Sequence, residues 1–271
     1  MKKLNAFLLA AALTAALAGC AKSPVSGAAA SSEAASTEAV SSEAASTEAV
    51  SAAEAEVTVM THAEYEAAAL DSQVCVETYV QAKQSWWEDK ATLYTQAEDG
   101  AYFIYDMPIS QEEYDKLVPG TKIRVTGYKS EWSGEVEITD AAYEILEGSF
   151  VAEPTDVTDL LGTDDLAAHQ NELVSFKGMT VELSKDANGK EAPFLYSWDG
   201  SGEEGSDLYF NVSKDGQTYT FTVESYLCDK DSEVYQAVKN LQAGDVIDME
   251  GFLYWYNGAN PHITAVTAAA E

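Results

Sequence analysis

Positive charge is what this sequence has least of. Lysine and arginine number 15 against 46 aspartates and glutamates, the formal charge is −31, and Arg124 is the only arginine. Glu33, Glu38, Glu43, Glu48, Glu54 and Glu56 belong to a polar N-terminal stretch, and most of the remaining acid falls in the part of the chain able to fold. Affinity for nucleic acid normally draws on cations that neutralise phosphates, and in this chain that term is repulsive. Lys83, Lys90, Lys122, Arg124 and Lys129 form the one basic cluster, interleaved with Glu88, Glu131 and Glu135.

Histidine and cysteine are equally scarce. His62, His169 and His262 lie far apart, and no two have metal-ligand spacing. Of Cys20, Cys75 and Cys228, the last two fall in different halves of the chain, where a disulfide would have to staple two domains; both are read as unpaired. No G-x-S-x-G elbow, P-loop or H-E-x-x-H is present. The acidic, glycine-containing stretches at Asp186–Gly189 and Asp199–Asp207 lack the spacing of an EF-hand loop. Neither an enzyme nor a metal or other cofactor is expected.

What is present begins with an export segment. Met1-Lys2-Lys3 precedes an apolar run from Ala6 to Ala18, the charge-then-apolar pattern of a signal peptide. The run is shorter than the roughly 20 residues a membrane-spanning helix needs. It ends in Leu17-Ala18-Gly19-Cys20, which resembles the bacterial lipobox at all four positions. The resemblance implies cleavage before Cys20 and acylation of its thiol (diacylglycerol, with palmitate as an acyl chain). A lipid anchor on the extracytoplasmic face of the cell membrane is therefore expected. Ser31–Val40 then recurs unchanged as Ser41–Val50 within an Ala/Ser/Glu/Thr stretch. Such composition cannot bury enough apolar surface to offset chain entropy, and a disordered tether is expected.

The rest divides into two similar halves. Leu117-x-x-Gly120 leads into Ile123, Val125, Gly127 and Tyr128, and Leu241-x-x-Gly244 leads into Ile247, Met249, Gly251 and Phe252 at the same spacing. The alternation predicts half-buried strands, with Lys122 and Arg124 outward in one and Asp248 and Glu250 outward in the other. Glycine inside a strand marks a sharp bend. A helix precedes each strand. Ser110 with Glu113 predicts a capping box, and Asp231 predicts the cap of a helix carrying Val234, Val238 and Leu241. Another capping box, Thr61 with Glu64, opens the first half. Strands are expected at Val74–Val80, Ala91–Gln96 and Ala101–Tyr105, and in the second half at Leu173–Leu183, Ala192–Trp198 and Leu208–Val212, with Thr218–Val223 as an extra strand. Three strands, a helix and two strands make the OB order. The chain resembles the OB-fold families, in particular tandem OB-like cell-surface lipoproteins of Firmicutes whose function is unknown. The expectation is a mainly β chain of two tandem OB-like five-stranded barrels with short helices. Residues 1–19 would be the signal peptide, 20–58 the tether, 59–148 the first barrel and 149–271 the second.

Aromatic residues gather where an OB ligand face would lie, on strands two and three with the loops between strands one-two and four-five. Trp86, Trp87, Tyr94, Tyr102, Tyr105 and Trp132 are the candidates in the first half, and Tyr254, Trp255 and Tyr256 in the second. The alternative is that these rings fill the core or the domain interface. With nucleic acid set aside as unlikely on charge, the sequence points to a non-catalytic surface lipoprotein binding a glycan, a peptide or an envelope protein. A structural or adaptor subunit comes second, and single-stranded nucleic acid, suggested by the fold alone, third.

Overall fold

The computed structural model describes residues 58–269. The expected signal peptide, Cys20 and the repeat of the expected tether lie outside the described residues. Among the described residues no helix is long and apolar enough to cross a membrane.

Five strands, β1 (Gln73–Lys83), β2 (Lys90–Ala97), β3 (Gly100–Pro108), β4 (Thr121–Trp132) and β5 (Glu135–Ser149), close into a barrel in the order β1-β2-β3-β5-β4. The pairing β3–β5 is parallel and the others are antiparallel. Helix α2 (Gln111–Lys116) crosses from β3 to β4, which gives this barrel the OB-like order. Its inside is built by alternation: Val74, Val76, Leu93, Ile104, Ile123, Val125 and Ile138 are all fully buried in one cluster. Helix α1 (His62–Ala67) opens with the reciprocal capping box of Thr61 and Glu64. Buried Lys129 closes the other end of α1, its Nζ donating to the carbonyls of Tyr65, Glu66 and Ala68 at 2.7–3.0 Å. A cation suits the negative end of a helix. Ser110 caps α2, but Glu113 pairs with Lys116 and the reciprocal half of that box is not made.

The remaining strands are β6 (Thr155–Asp156), β7 (Leu173–Glu182), β8 (Ser184–Lys185), β9 (Glu191–Ala192), β10 (Leu195–Tyr196), β11 (Leu208–Lys214), β12 (Gln217–Val223), β13 (Val246–Phe252) and β14 (His262–Ala268). Seven of them form one sheet in the order β10-β11-β12-β14-β13-β7-β6, and a further pairing of β11 with β7 brings five of its strands back on themselves. Helix α3 (Glu233–Lys239) lies between β12 and β13 and buries Val234, Tyr235 and Val238 in the cluster of Phe176, Phe210, Phe221 and Met249. Its cap is Ser232 and not Asp231, which pairs with Lys230 instead. The expected strand Ala192–Trp198 is also corrected. It is two short pairings in a loop, because Pro193 removes a donor from the middle of the run. The strands after β7 are β11 and β12, so the segment read as an extra strand belongs to the sheet.

Gly127 and Gly251 sit where β4 and β13 bend, each next to a shift of register with the following strand. A Cβ on Gly127 would stand 2.6 Å from Ile138 Cγ2 and 2.7 Å from the Thr139 carbonyl, and one on Gly251 would stand 2.3 Å from the His262 carbonyl. The two glycines let successive strands approach at the bend. Replacing either by alanine is expected to lower stability by about 1–3 kcal/mol, the usual cost of overpacking, whereas Gly216→Ala, whose Cβ would meet nothing, avoids that clash and bears only the strain of its positive φ. Urea melts of the three variants check this.

Candidate functional site

The second sheet packs on the outer face of β2 and β3. Tyr94 and Phe103 are cross-strand partners there, and both are buried against Phe252, with Leu173, Leu227 and Tyr254 around them. The rings of Tyr94 and Phe252 stack at 4.5 Å, and Phe103 meets Tyr254 edge-on at 5.4 Å. At the centre Tyr94 Oη lies 2.7 Å from His262 Nδ1. Burial pushes the His262 imidazole down to about 3, so the ring is neutral and shares one hydrogen bond with the tyrosine hydroxyl.

Beside this pair lies Glu135, fully buried. One oxygen accepts from the Trp255 N–H at 2.8 Å and faces Gln170 Nε2 at 3.4 Å. The other has no partner, and neither does Asn171 Oδ1, although Asn171 neighbours this carboxyl. Burial raises Glu135 to about 8, against the pull of the Trp255 N–H and Asn171 and with a further push from Glu137. Neutral Glu135 avoids burying a charge beside the barrel seam. By accepting from the Trp255 N–H, Glu135 fastens the loop 253–261 of the second sheet to the turn between β4 and β5. The Trp255 ring closes the contact, 2.8 Å from where a Cβ on Gly134 would be.

That loop is one wall of a cleft of about 860 Å³. Its floor is the outer face of β11 and β12, presenting Tyr209, Asn211, Thr220 and Thr222. Tyr254, Tyr256 and Asn260 form the near wall, and Lys185, Leu195, Trp198 and Asp207 from the loop between β7 and β11 form the far one. Trp132, from the end of β4, reaches in and lies 5.2 Å from Tyr256, ring to ring. Trp198, Trp132 and Tyr256 are 77%, 54% and 49% exposed, so three flat apolar faces stand open to solvent. Two carboxamides on the walls and floor are held by threonine: Thr220 Oγ1 donates to Asn211 Oδ1 at 2.7 Å and Thr222 Oγ1 to Asn260 Oδ1 at 2.9 Å.

The aromatic candidates separate accordingly. Trp132, Tyr254 and Tyr256 line the cleft. Trp255 packs between the two sheets. Tyr94 and Tyr102 are corrected: both are fully buried, Tyr102 in the barrel core and Tyr94 under the second sheet, and neither can meet a solute. Trp86 is half-buried with its Nε1 donating to the Ile109 carbonyl at 3.0 Å. Trp87 and Tyr105 are exposed beside a smaller cleft. Sequence reasoning missed Trp198, Tyr209, Asn211 and Asn260. The signal for Tyr209 and Asn211 was the outward register of Leu208–Val212, hidden once Ala192–Trp198 was taken for the second strand; Trp198 and Asn260 lie in loops and carried no such signal. The basic cluster is spent internally. Lys83 donates to the Tyr114 carbonyl, Lys122 and Arg124 pair with Glu77, and Lys90 pairs with Asp106. Cys75 and Cys228 are unpaired.

No protein-family model and no curated protein sequence matches this chain. Among solved structures it is similar to a murine DNA-binding protein bound to double-stranded DNA (13% identity, TM-score 0.34, covering 73% of this chain and 97% of that one). It is also similar to the Ifi202 HINa domain in complex with duplex DNA (11%, TM-score 0.32, 74% and 100%), and to a replication protein A heterotrimer bound to single-stranded DNA (10%, TM-score 0.30, 73% and 49%). These likenesses are coarse. The expected order of partners, in which a glycan, a peptide or an envelope protein stood first and nucleic acid was unlikely, is corrected at the cleft, where open rings and carboxamides are the groups that face a solute. The charge argument used the total of the chain, whereas the cleft itself is lined mostly by aromatic and neutral polar groups, with Lys185, Asp207 and Glu224 among them.

Stability should follow pH through the groups at this junction. Glu135 is near 8 in the folded chain against an ordinary 4.5, and Glu224, buried beside the cleft, is near 7. Between 4.5 and those values the unfolded chain binds fewer protons, so these groups make stability fall as pH rises. His262, near 3 against 6.5, binds more protons unfolded and makes stability rise between those values. Glu135→Gln keeps an acceptor for the Trp255 N–H and cannot ionise. It is expected to gain about 1–3 kcal/mol over the parent above pH 8 and to lose that gain toward pH 4.5, read from urea melts across pH.

Proposed function

We propose that the described head binds single-stranded nucleic acid through its bases, and that the second sheet is a second OB-like barrel, so that two such barrels stand in tandem. The observation that carries the reading is the open cleft on β11 and β12, with the exposed rings of Trp198, Trp132 and Tyr256 around it. Counting β7, β11, β12, β13 and β14 as strands one to five, this face and its two flanking loops are those an OB fold uses for oligomers. Every base has a flat π-face, and stacking on an aromatic side chain is worth about 1–3 kcal/mol per base. With Oδ1 of Asn211 and of Asn260 turned to threonine, their Nδ2 hydrogens have no protein partner among the described residues and can meet base carbonyls or ring nitrogens.

Phosphate contributes little in this arrangement. Lys185 is the one lysine on the cleft, and it already pairs with Glu191 at 3.1 Å. The acidic surface repels a polyanion at range, and salt screens that repulsion within about 10 Å at 0.1 M. Catalysis is not part of the reading. His262, the histidine at the cleft, is held neutral with Nδ1 occupied by Tyr94. Acylation of Cys20 is proposed on the lipobox resemblance, and with it the ligand would be met outside the cell.

Binding of a fluorescent oligothymidylate, followed by anisotropy, tests the proposal. Affinity is expected to stay level or rise from about 50 to 200 mM salt, where a protein making many phosphate contacts loses about 10³–10⁵. Trp198→Ala and Tyr209→Ala should each weaken binding by about 5–150-fold, the equivalent of one stacked base. No binding at any salt, or binding indifferent to both substitutions, defeats it.

A further inference from the structure

A second, smaller cleft of about 180 Å³ lies where the first barrel meets the second sheet. Trp87, Lys90 and Tyr105 come from the loop after β1 and from β2 and β3, and Tyr226 comes from the segment after β12. Trp87, Tyr226 and Tyr105 are 66%, 61% and 45% exposed. Ser85 donates its N–H to the Tyr226 carbonyl at 2.7 Å, which ties the Tyr226 backbone to the first barrel. The site is therefore shared between the two halves and exists only where they dock.

The two clefts are neighbours. Tyr254 lines the larger one and lies 5.4 Å from Phe103, which lies 6.5 Å from Tyr105 on the smaller one. Glu224 lines the larger one and accepts from the Tyr226 N–H at 3.0 Å. A single row of side chains divides them, and that row itself ends in tyrosines. The smaller cleft also carries Lys90, paired with Asp106 at 2.9 Å.

We infer that the smaller cleft holds the continuation of the same strand, so that the two form one track. Bases stack at the Trp198 end and again on Trp87 and Tyr226. The inference rests on the reading of the larger cleft as a base-binding site. Oligothymidylates of about 4 and about 16 nucleotides, the span of site sizes for one OB fold, separate the two. Trp87→Ala is expected to leave the short ligand's affinity unchanged and to weaken the long one by about 5–150-fold, with Tyr226→Ala doing the same. Trp87 is exposed and not part of a core, so circular dichroism of the variant should match the parent. Long and short ligands binding equally, or both variants holding the long ligand as the parent does, overturns the track and leaves the larger cleft standing. Failure of both ligands to bind the parent overturns the two together.

Discussion

The hydrogen bond from Tyr94 to His262 is the joint on which the rest of the head depends. Both partners are buried, so separating the halves while excluding water would strand a hydroxyl and an imidazole nitrogen. Around it, Phe103, Phe252 and Tyr254 exclude water, which keeps the histidine neutral and the bond strong. Glu135, a few ångströms along the same seam, does for the backbone of the loop 253–261 what Tyr94 does for His262. Both walls and floor of the larger cleft lean on elements fixed by this seam.

Much of the fold was legible before the structure. The paired Leu-x-x-Gly stretches placed β4 and β13 and their bends, because a barrel strand that must turn over its neighbour leaves no room for a Cβ at Gly127 or Gly251. The stripe Val234, Val238 and Leu241 marked the buried side of α3. Errors arose where one residue overrules a pattern. Pro193 breaks a run that otherwise alternates like a strand, and the cap of α3 falls on Ser232 because its hydroxyl, not Asp231, meets the Tyr235 N–H.

The candidate site was legible by residue type and not by position. Tyr94 points out of its barrel, as its register requires, yet it is buried by a partner surface contributed by residues about 160 positions later. No local pattern carries that information. Total charge misled for a related reason. A sum over the chain says how the molecule repels at range, while the cleft is decided by which side chains face it, and the lysines that seemed to form a patch are engaged one by one with carbonyls and carboxylates.

The burial of the outer face of β2 and β3 also sets the valency of the molecule. A chain with two like halves would ordinarily offer two equivalent faces and could bridge two strands. Here the first barrel has given up most of its β2–β3 face as the foundation for the second sheet, so that face is not free to serve as a second, equal site. Under the proposed function the head would then saturate at one ligand per chain, without cross-linking.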